Sequence, residues 1–502
     1  MHTTALLYIF WILLFSIAYF RRMRMRARLP PGLPGLFLIG NIRDVSHNTP
    51  QWLTYKHWAE TYGDIIYIEV FGSRMIILNS LSAVTQLLEK RSANYSDRPP
   101  MHMVNDLMSW DWDLAHMRYS DWWRLHRKTF HQYFQPRAVP GYYPIQMQAT
   151  RTLLQQLSRN PARFADYVRQ HAGNIILRVA YGYEIKPEND PYVSLAHEAA
   201  KGLIQAANAG SFLVDFLPIL KHVPSWFPGA SFKRKAKIWA KSALELRDSP
   251  FEALKESIAA GTAISSFAAD NLEKMRKSET PLPDQEVVIK NCASIAYLAG
   301  SDTTVSVVLS FILAMVLYPD VQAKAREEID AAVGNRLPDF SDRPSLPYVN
   351  AILDETLRWG PVAPLALPHM NVSDDEYNGF YIPAGTTIVG NAYAILHNET
   401  MFPQPHEFKP ERFIPQEGKE PPLRPESVAF GFGRRICPGR YLALDSAWIA
   451  IVSILKTYNI DKALDADGKY ITPEVDYTVG IVSHPKPFKC SFTIRSEALE
   501  LV

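Results

Sequence analysis

The residues best equipped for chemistry sit in one short stretch near the C-terminus, Phe430-Gly431-Phe432-Gly433-Arg434-Arg435-Ile436-Cys437-Pro438-Gly439. Three glycines in ten residues let a backbone pass tightly beneath a flat object, because a position without Cβ tolerates positive φ and close approach. Cys437 stands at the tip, behind Arg434 and Arg435 and ahead of an apolar helical run, Leu442 to Leu455. A thiolate at a helix N-terminus beside cations is kept ionised by the dipole and by the positive charge. Backbone N–H groups that follow it can also bond the sulfur. The pattern suits one anionic sulfur ligand to a metal, not a cage of four. The bland alternative is a buried structural cysteine in a glycine-rich turn.

Two more constellations could act on a ligand. Ala299-Gly300-Ser301-Asp302-Thr303-Thr304 falls in the middle of a helix expected from an Asp284 cap to about Leu317. Glycine there costs ~1 kcal/mol relative to alanine, and the two threonines are β-branched and able to bond backward. Such a weak spot predicts a local distortion that makes room for a ligand. Asp302 and Thr303 are then candidates for general acid work on a developing oxygen charge; the alternative is a kink with a salt-bridged aspartate. Trp123 and Arg127 lie at i and i+4 of a helix beginning near Trp122, so an indole N–H and a guanidinium can address one carboxylate.

These groups need a large scaffold, and 502 residues supply one. No repeat or low-complexity linker divides the chain after residue 36, which predicts one catalytic domain over 37–502. A formal net charge of +2 creates no field for nucleic acid. Cys292, Cys437 and Cys490 cannot form a disulfide framework and fit a reducing compartment. Ile65–Val70 and Met75–Leu78 read as a hairpin around Phe71-Gly72-Ser73-Arg74. Most of the chain up to Gly360 reads helical, so the expected fold is mainly α with small β-sheets. Glu355 and Arg358 lie on adjacent turns, and Arg412 follows in Phe408–Phe413.

Ala5 to Phe20 is apolar and uncharged, and with Thr3 and Thr4 the stretch 3–20 reaches the lower end of a bilayer-spanning helix. Five arginines between Arg21 and Arg28 place everything downstream on the cytosolic face. Residues 21–36 form a basic and proline-rich linker, of which the stiff segment Leu29 to Gly35 cannot be helical. Met101, Met103, Met108, Trp110 and Trp112 crowd the stretch from Arg98 to Arg118, suited equally to lining a lipophilic cavity and to ordinary packing. Residues 211–232 are apolar and broken by three prolines, as a lid or a buried connector would be.

Phe430, Gly433, Arg435, Cys437 and Gly439 fill every fixed position of Phe-x-x-Gly-x-Arg-x-Cys-x-Gly, and the chain closely resembles the cytochrome P450 family. There a cysteine thiolate holds haem and pushes electron density toward O–O cleavage. The resemblance implies the cytochrome P450 fold behind a transmembrane anchor, with Cys437 as axial ligand of haem b iron. It assigns Trp123, Arg127, His369 and Arg435 to the haem propionates, and Phe430, Gly433 and Gly439 to the cradle. The match to Ala-Gly-x-Asp-Thr-Thr makes Thr303 the hydroxyl serving dioxygen activation and Asp302 the proton entry. Glu355, Arg358 and Arg412 become a structural ion network. Val479-Gly480-Ile481-Val482 becomes a turn dipping into the site, and residues 211–232 a lid touching lipid. The implied activity is insertion of one oxygen atom from O2 into a terpenoid, steroid-like or polycyclic aromatic substrate. The style of the sequence is that of fungal secondary metabolism or xenobiotic oxidation. Electrons would come from NADPH through a separate diflavin reductase, with cytochrome b5 as a second donor. The reductase would dock on a basic face including Arg124, Lys128, Arg434 and Arg440, and the chain would sit single-pass in the endoplasmic reticulum membrane. The rivals are a haem-thiolate peroxide isomerase or dehydratase, which departs from the Asp-Thr pair, and a non-catalytic haem-binding protein, which needs no dioxygen groove.

Overall fold

The computed structural model describes residues 28–501 apart from 46–48, 188, 209, 281, 419 and 420. The expected anchor at 3–20 and most of the basic linker therefore lie outside the described residues. Eleven helices of at least eleven residues occur among the described residues: α1 Gln51–Tyr62, α2 Asp121–Phe134, α3 Tyr143–Arg159, α4 Phe164–Tyr181, α5 Pro191–Ala207, α6 Ser231–Ala259, α7 Phe267–Lys277, α8 Gln285–Leu317, α9 Pro319–Val333, α10 Pro347–Trp359 and α11 Arg440–Thr457.

The long helix α8 is the axis of the molecule. It is apolar nearly all round, which buries a helix on every side, and it packs against α2, α4, α5, α6, α7, α10 and α11. Among the described residues only α8 is long and apolar enough to cross a bilayer, and 72% of its most apolar window is buried in the protein. It is a core helix. It runs without interruption through Gly300, so the expected weak spot is not a break. Asp284 does stand at the N-cap, but with φ of 58° and no side-chain cap. The Gln285 side chain closes that end instead, accepting from the Leu282 N–H at 3.1 Å.

The sheets are small. Strands β1 Ile65–Val70 and β2 Ser73–Leu78 form the expected antiparallel hairpin, Val70 opposite Ser73. Phe71 and Gly72 close it with φ of 48° and 82°, the two positive values of a type I′ turn. The remaining strands are β3 His369–Met370, β4 Asp375–Tyr377, β5 Phe380–Ile382, β6 Thr387–Gly390, β7 Tyr458–Leu464, β8 Tyr470–Ile471 and β9 Cys490–Ile494. β2 pairs parallel with β6, and β3 runs antiparallel on β6. A further bridge joins Asp97 to Met370, which brings the segment around Arg98 beside His369.

The expected ion network is present behind α10. Arg358 donates to Glu355 at 2.6 and 2.8 Å with both side chains fully buried, and Arg412 reaches Glu355 at 3.4 Å. The Lys409 N–H adds a bond of 2.7 Å to the same carboxylate. The methionine- and tryptophan-rich stretch resolves to ordinary packing. Met103, Met108, Trp110 and Trp112 are buried in the core, with the two indoles stacked at 5.1 Å, and none of the five lines the cavity below. Residues 211–232 connect α5 to α6 and leave Ile219 and Trp226 more than two-thirds exposed, at 72% and 78%.

Candidate functional site

A cavity of about 330 Å³ lies between α4, α5 and α8 on one side and the Cys437 loop on the other. The Cys437 N–H donates to the Phe430 carbonyl at 2.9 Å and closes the loop. Gly433 has φ of 56°, and a Cβ there would sit 2.0 Å from the Leu88 carbonyl oxygen. Only glycine lets the loop cross that backbone; Gly433 thus lies behind the loop, while Phe430, Cys437 and Gly439 line the cavity. A Cβ on Gly439 would meet no protein atom within 4 Å, so that position borders open space. Burial pushes the Cys437 thiol above its ordinary value, while the Gly439 and Arg440 N–H groups and the Arg127 and Arg440 charges pull it down. Burial outweighs them, so the dipole and cations expected to ionise this sulfur do not suffice alone. A coordinated metal ion deprotonates a thiol outright.

Around the other wall the structure gathers cations. Arg435 is buried, donates to the Ser96 and Met117 carbonyls at 2.7 Å each, and lies 4.3 Å over the Trp123 ring. Trp123 spends its indole N–H on the Leu114 carbonyl at 3.2 Å. That N–H is not the carboxylate donor expected of it, and Trp123 instead supports Arg435 through its ring face. Arg127 lines the cavity one turn on with no side-chain hydrogen bond to any described residue. His369 meets the Tyr95 carbonyl through Nδ1 at 2.7 Å, which fixes the proton on that nitrogen. Burial, then Arg98 and Arg435, hold its pKa well below the ordinary value.

Arg98 is a site residue that the sequence did not mark. It donates to the Ala115, Leu367 and Pro368 carbonyls and lines the same cavity. Its one local signal is an arginine set between Asp97 and Pro99-Pro100, where the proline forces extended backbone. Burial pulls Arg98 down to about 10 although Asp113 and Asp97 push it up; burial and the Arg98 and Arg127 charges pull Arg435 down to about 8, and burial lowers Arg127 as well. Against three guanidiniums the wall offers Asp113, already engaged by the Ala115 N–H and His116. Desolvated, mutually repelling cations call for an anion, and guanidinium favours carboxylates. A flat group bearing two carboxylates, with a metal for Cys437, fits this donor set, and haem is such a group.

On the far wall, Thr303 donates through Oγ1 to the Ala299 carbonyl at 2.7 Å, and Asp302 Oδ2 lies 3.1 Å from His484 Nε2. A Cβ on Gly300 would sit 2.6 Å from Ile176 Cγ1, so close approach of α4 to α8 requires this glycine. The remaining walls are mostly aliphatic, from residues such as Ala172, Leu203, Ala299, Val307, Ile481 and Val482, with the rings of Phe130 and Phe134 and the Thr304 hydroxyl among them.

The family model for cytochrome P450 matches residues 30–492. The chain belongs to the cytochrome P450 family. A cytochrome P450 monooxygenase of Armillaria gallica is 43% identical over 510 residues, covering 100% of this chain and 99% of its own. Cytochrome P450 monooxygenase 208 of Postia placenta is 42% identical, covering 98% and 95%. Tryptamine 4-monooxygenase of Psilocybe cyanescens is 40% identical, covering 95% of each chain. This cytochrome P450 is accordingly an oxidoreductase of the haem-thiolate monooxygenase class, with fungal relatives along its full length.

Proposed function

We propose that this cytochrome P450 inserts one oxygen atom from O2 into a neutral lipophilic small molecule of the terpenoid, steroid-like or polycyclic aromatic type, in fungal secondary metabolism or xenobiotic oxidation. The observation that carries the substrate class is the aliphatic lining of the cavity beside Thr303, which offers hydrophobic contact and few polar anchors. Haem bound between Cys437 and α8 supplies dioxygen binding and reductive O–O cleavage. Cys437 is its sulfur ligand. Arg98, Arg127, Arg435 and His369 hold the propionate side, with Trp123 stacked beneath Arg435. Thr303 sets a hydroxyl at the cavity wall, and Asp302 carries protons to it from the solvent side. Phe430, Gly433 and Gly439 shape the loop. Asp302 and Thr303 facing the cavity together favour this reading over a peroxide isomerase or a non-catalytic haem carrier. Incubation with reductase, NADPH and a panel of the three substrate types, followed by product structure determination, tests it; no NADPH consumption with any of them overturns it.

The same proposal includes a membrane anchor at 3–20, a linker at 21–36 and a monooxygenase domain over 37–502, single-pass in the endoplasmic reticulum with the domain cytosolic. Ile219 and Trp226 of the lid and Phe37 and Leu38 after the linker are exposed apolar side chains, as a lipid-facing surface needs. Phe216 and Leu33 pack on one shared cluster, so lid and linker lie on the same side. Electrons reach the site from NADPH through a diflavin reductase, with cytochrome b5 as a second donor. Lys128 and Arg434 are exposed on the Cys437 side and pair with no carboxylate among the described residues. Arg124 is paired with Asp121, and Arg440 is turned onto the Cys437 carbonyl, so the docking charge rests mainly on the first two. Turnover driven by reductase should fall with added salt while turnover driven by peroxide does not; equal salt dependence removes the docking surface.

A further inference from the structure

Asp302, Ser306 and Ser310 recur every four residues on α8 and so share one face. The C-terminal segment runs along that face and answers each of them. Tyr477 Oη donates to Ser310 Oγ at 3.1 Å, Ser306 Oγ donates to the Ser483 carbonyl at 2.5 Å, and His484 Nε2 meets Asp302 Oδ2 at 3.1 Å. Between these rungs the turn is closed on itself. The Thr478 N–H donates to the His484 carbonyl at 2.8 Å and the His484 N–H to Thr478 Oγ1 at 3.0 Å. The Ser483 N–H holds the Val362 carbonyl at 2.8 Å.

Three rungs therefore fasten the turn, and only one of them touches an acid. Asp302 and His484 are mostly buried, 17% and 19% exposed, and no other side chain bonds the Asp302 carboxylate among the described residues. His197 on α5 stands near enough to feel its charge without bonding it. We propose that His484 is a positioning residue for proton delivery, holding the Asp302 carboxylate at the cavity wall from a turn that the rest of the ladder keeps rigid. This rests on the role of Asp302 given above. A carboxylate without that donor turns toward water, and a misplacement of ~1 Å in such a group costs up to about a hundredfold in rate.

The test compares His484→Ala, His484→Gln, Ser306→Ala and Asp302→Asn in the haem-loaded enzyme with reductase and NADPH. His484→Ala should keep the thiolate spectrum and KM, lower kcat about tenfold, and enlarge the solvent deuterium isotope effect. His484→Gln, whose amide N–H can donate to Oδ2, should restore most of the rate. Ser306→Ala cuts the middle rung, leaves the acid held, and should keep kcat. Hydrogen exchange of residues 477–484 should stay protected in His484→Ala. The proposal is overturned if His484→Ala turns over normally, if Ser306→Ala slows catalysis as much, or if His484→Ala exposes the whole turn to exchange, which makes the residue structural. Normal turnover in Asp302→Asn would instead refute the role of Asp302 itself, whatever His484 does.

Discussion

Thr303→Ala separates a catalytic hydroxyl from a structural one, because the structure fixes what each role would cost. The Thr303 hydroxyl donates to Ala299 at 2.7 Å, a back-bond within the helix worth about 1 kcal/mol net. Losing it and one methyl is partly offset by the better helix propensity of alanine, roughly half a kcal/mol. The net loss is about 1 kcal/mol against a total stability of about 5–15 kcal/mol, so the variant should fold, keep haem and thiolate spectrum, and bind substrate. A positioned proton donor, by contrast, contributes about 10²–10⁴-fold. NADPH oxidation should therefore continue while product falls and hydrogen peroxide rises. The geometry adds a refinement: the proton is spent on Ala299, so the hydroxyl serves the cavity by exchanging that bond, at a cost near 1 kcal/mol. Thr303→Ser keeps the group and should keep most of the coupling. The assay is the ratio of NADPH consumed to product and peroxide formed. Tight coupling in Thr303→Ala would show the hydroxyl to be dispensable, and failure to hold haem would make it structural.

Cys437→Ala should abolish the red-shifted absorption of the reduced carbon monoxide complex, whereas Cys292→Ala and Cys490→Ala leave it in place; an unchanged Cys437→Ala spectrum refutes the ligand assignment. Glu355→Ala leaves Arg358 buried and unpaired and should cost about 3–5 kcal/mol, read as a lower urea midpoint and poor haem retention. Burial pulls His171 down to about 4 and holds His397 well below its ordinary value. An unfolded histidine titrates near 6.5, so below that pH the unfolded chain binds protons that the folded one refuses. Stability should fall as pH drops from about 6.5 toward about 4, by about 3 kcal/mol from His171 alone. Urea midpoints measured across that range should show the slope, and His171→Leu should flatten part of it.

Local chemistry was legible in the sequence, and distant pairing was not. The hairpin at Phe71-Gly72 and the cysteine loop are set by neighbours within a few residues, so spacing and residue type revealed them. The Glu355 network was legible as a helix pair, since its partners lie at i and i+3. Arg98 binds a carbonyl 269 residues away and His484 an acid 182 residues away, and no local pattern encodes either. Asp284 has the right side chain for a cap, but a left-handed backbone turns it aside. Cys437 shows the same limit from another direction: the charges around it are written in the sequence, and the burial that outweighs them is a property of the assembled fold. The five large side chains between Met101 and Trp112 could face a cavity or a core, and packing alone chose the core.

The two ends of the cavity divide the work differently. On the Cys437 side Arg98, Arg435 and His369 are tied to backbone carbonyls, and Arg127 and the buried His116 Nε2 are left to meet the bound group, so that wall is built to hold one rigid group in one orientation. On the far side Asp302 is engaged by His484 and Thr303 by Ala299, and Thr304 adds one further hydroxyl to the wall. What remains there for a substrate is mostly aliphatic surface. A neutral lipophile of the proposed class would then be oriented by shape, and each methylene of mismatch would be worth only about 1–3 kcal/mol. The position of attack follows from which carbon the aliphatic walls leave nearest Thr303.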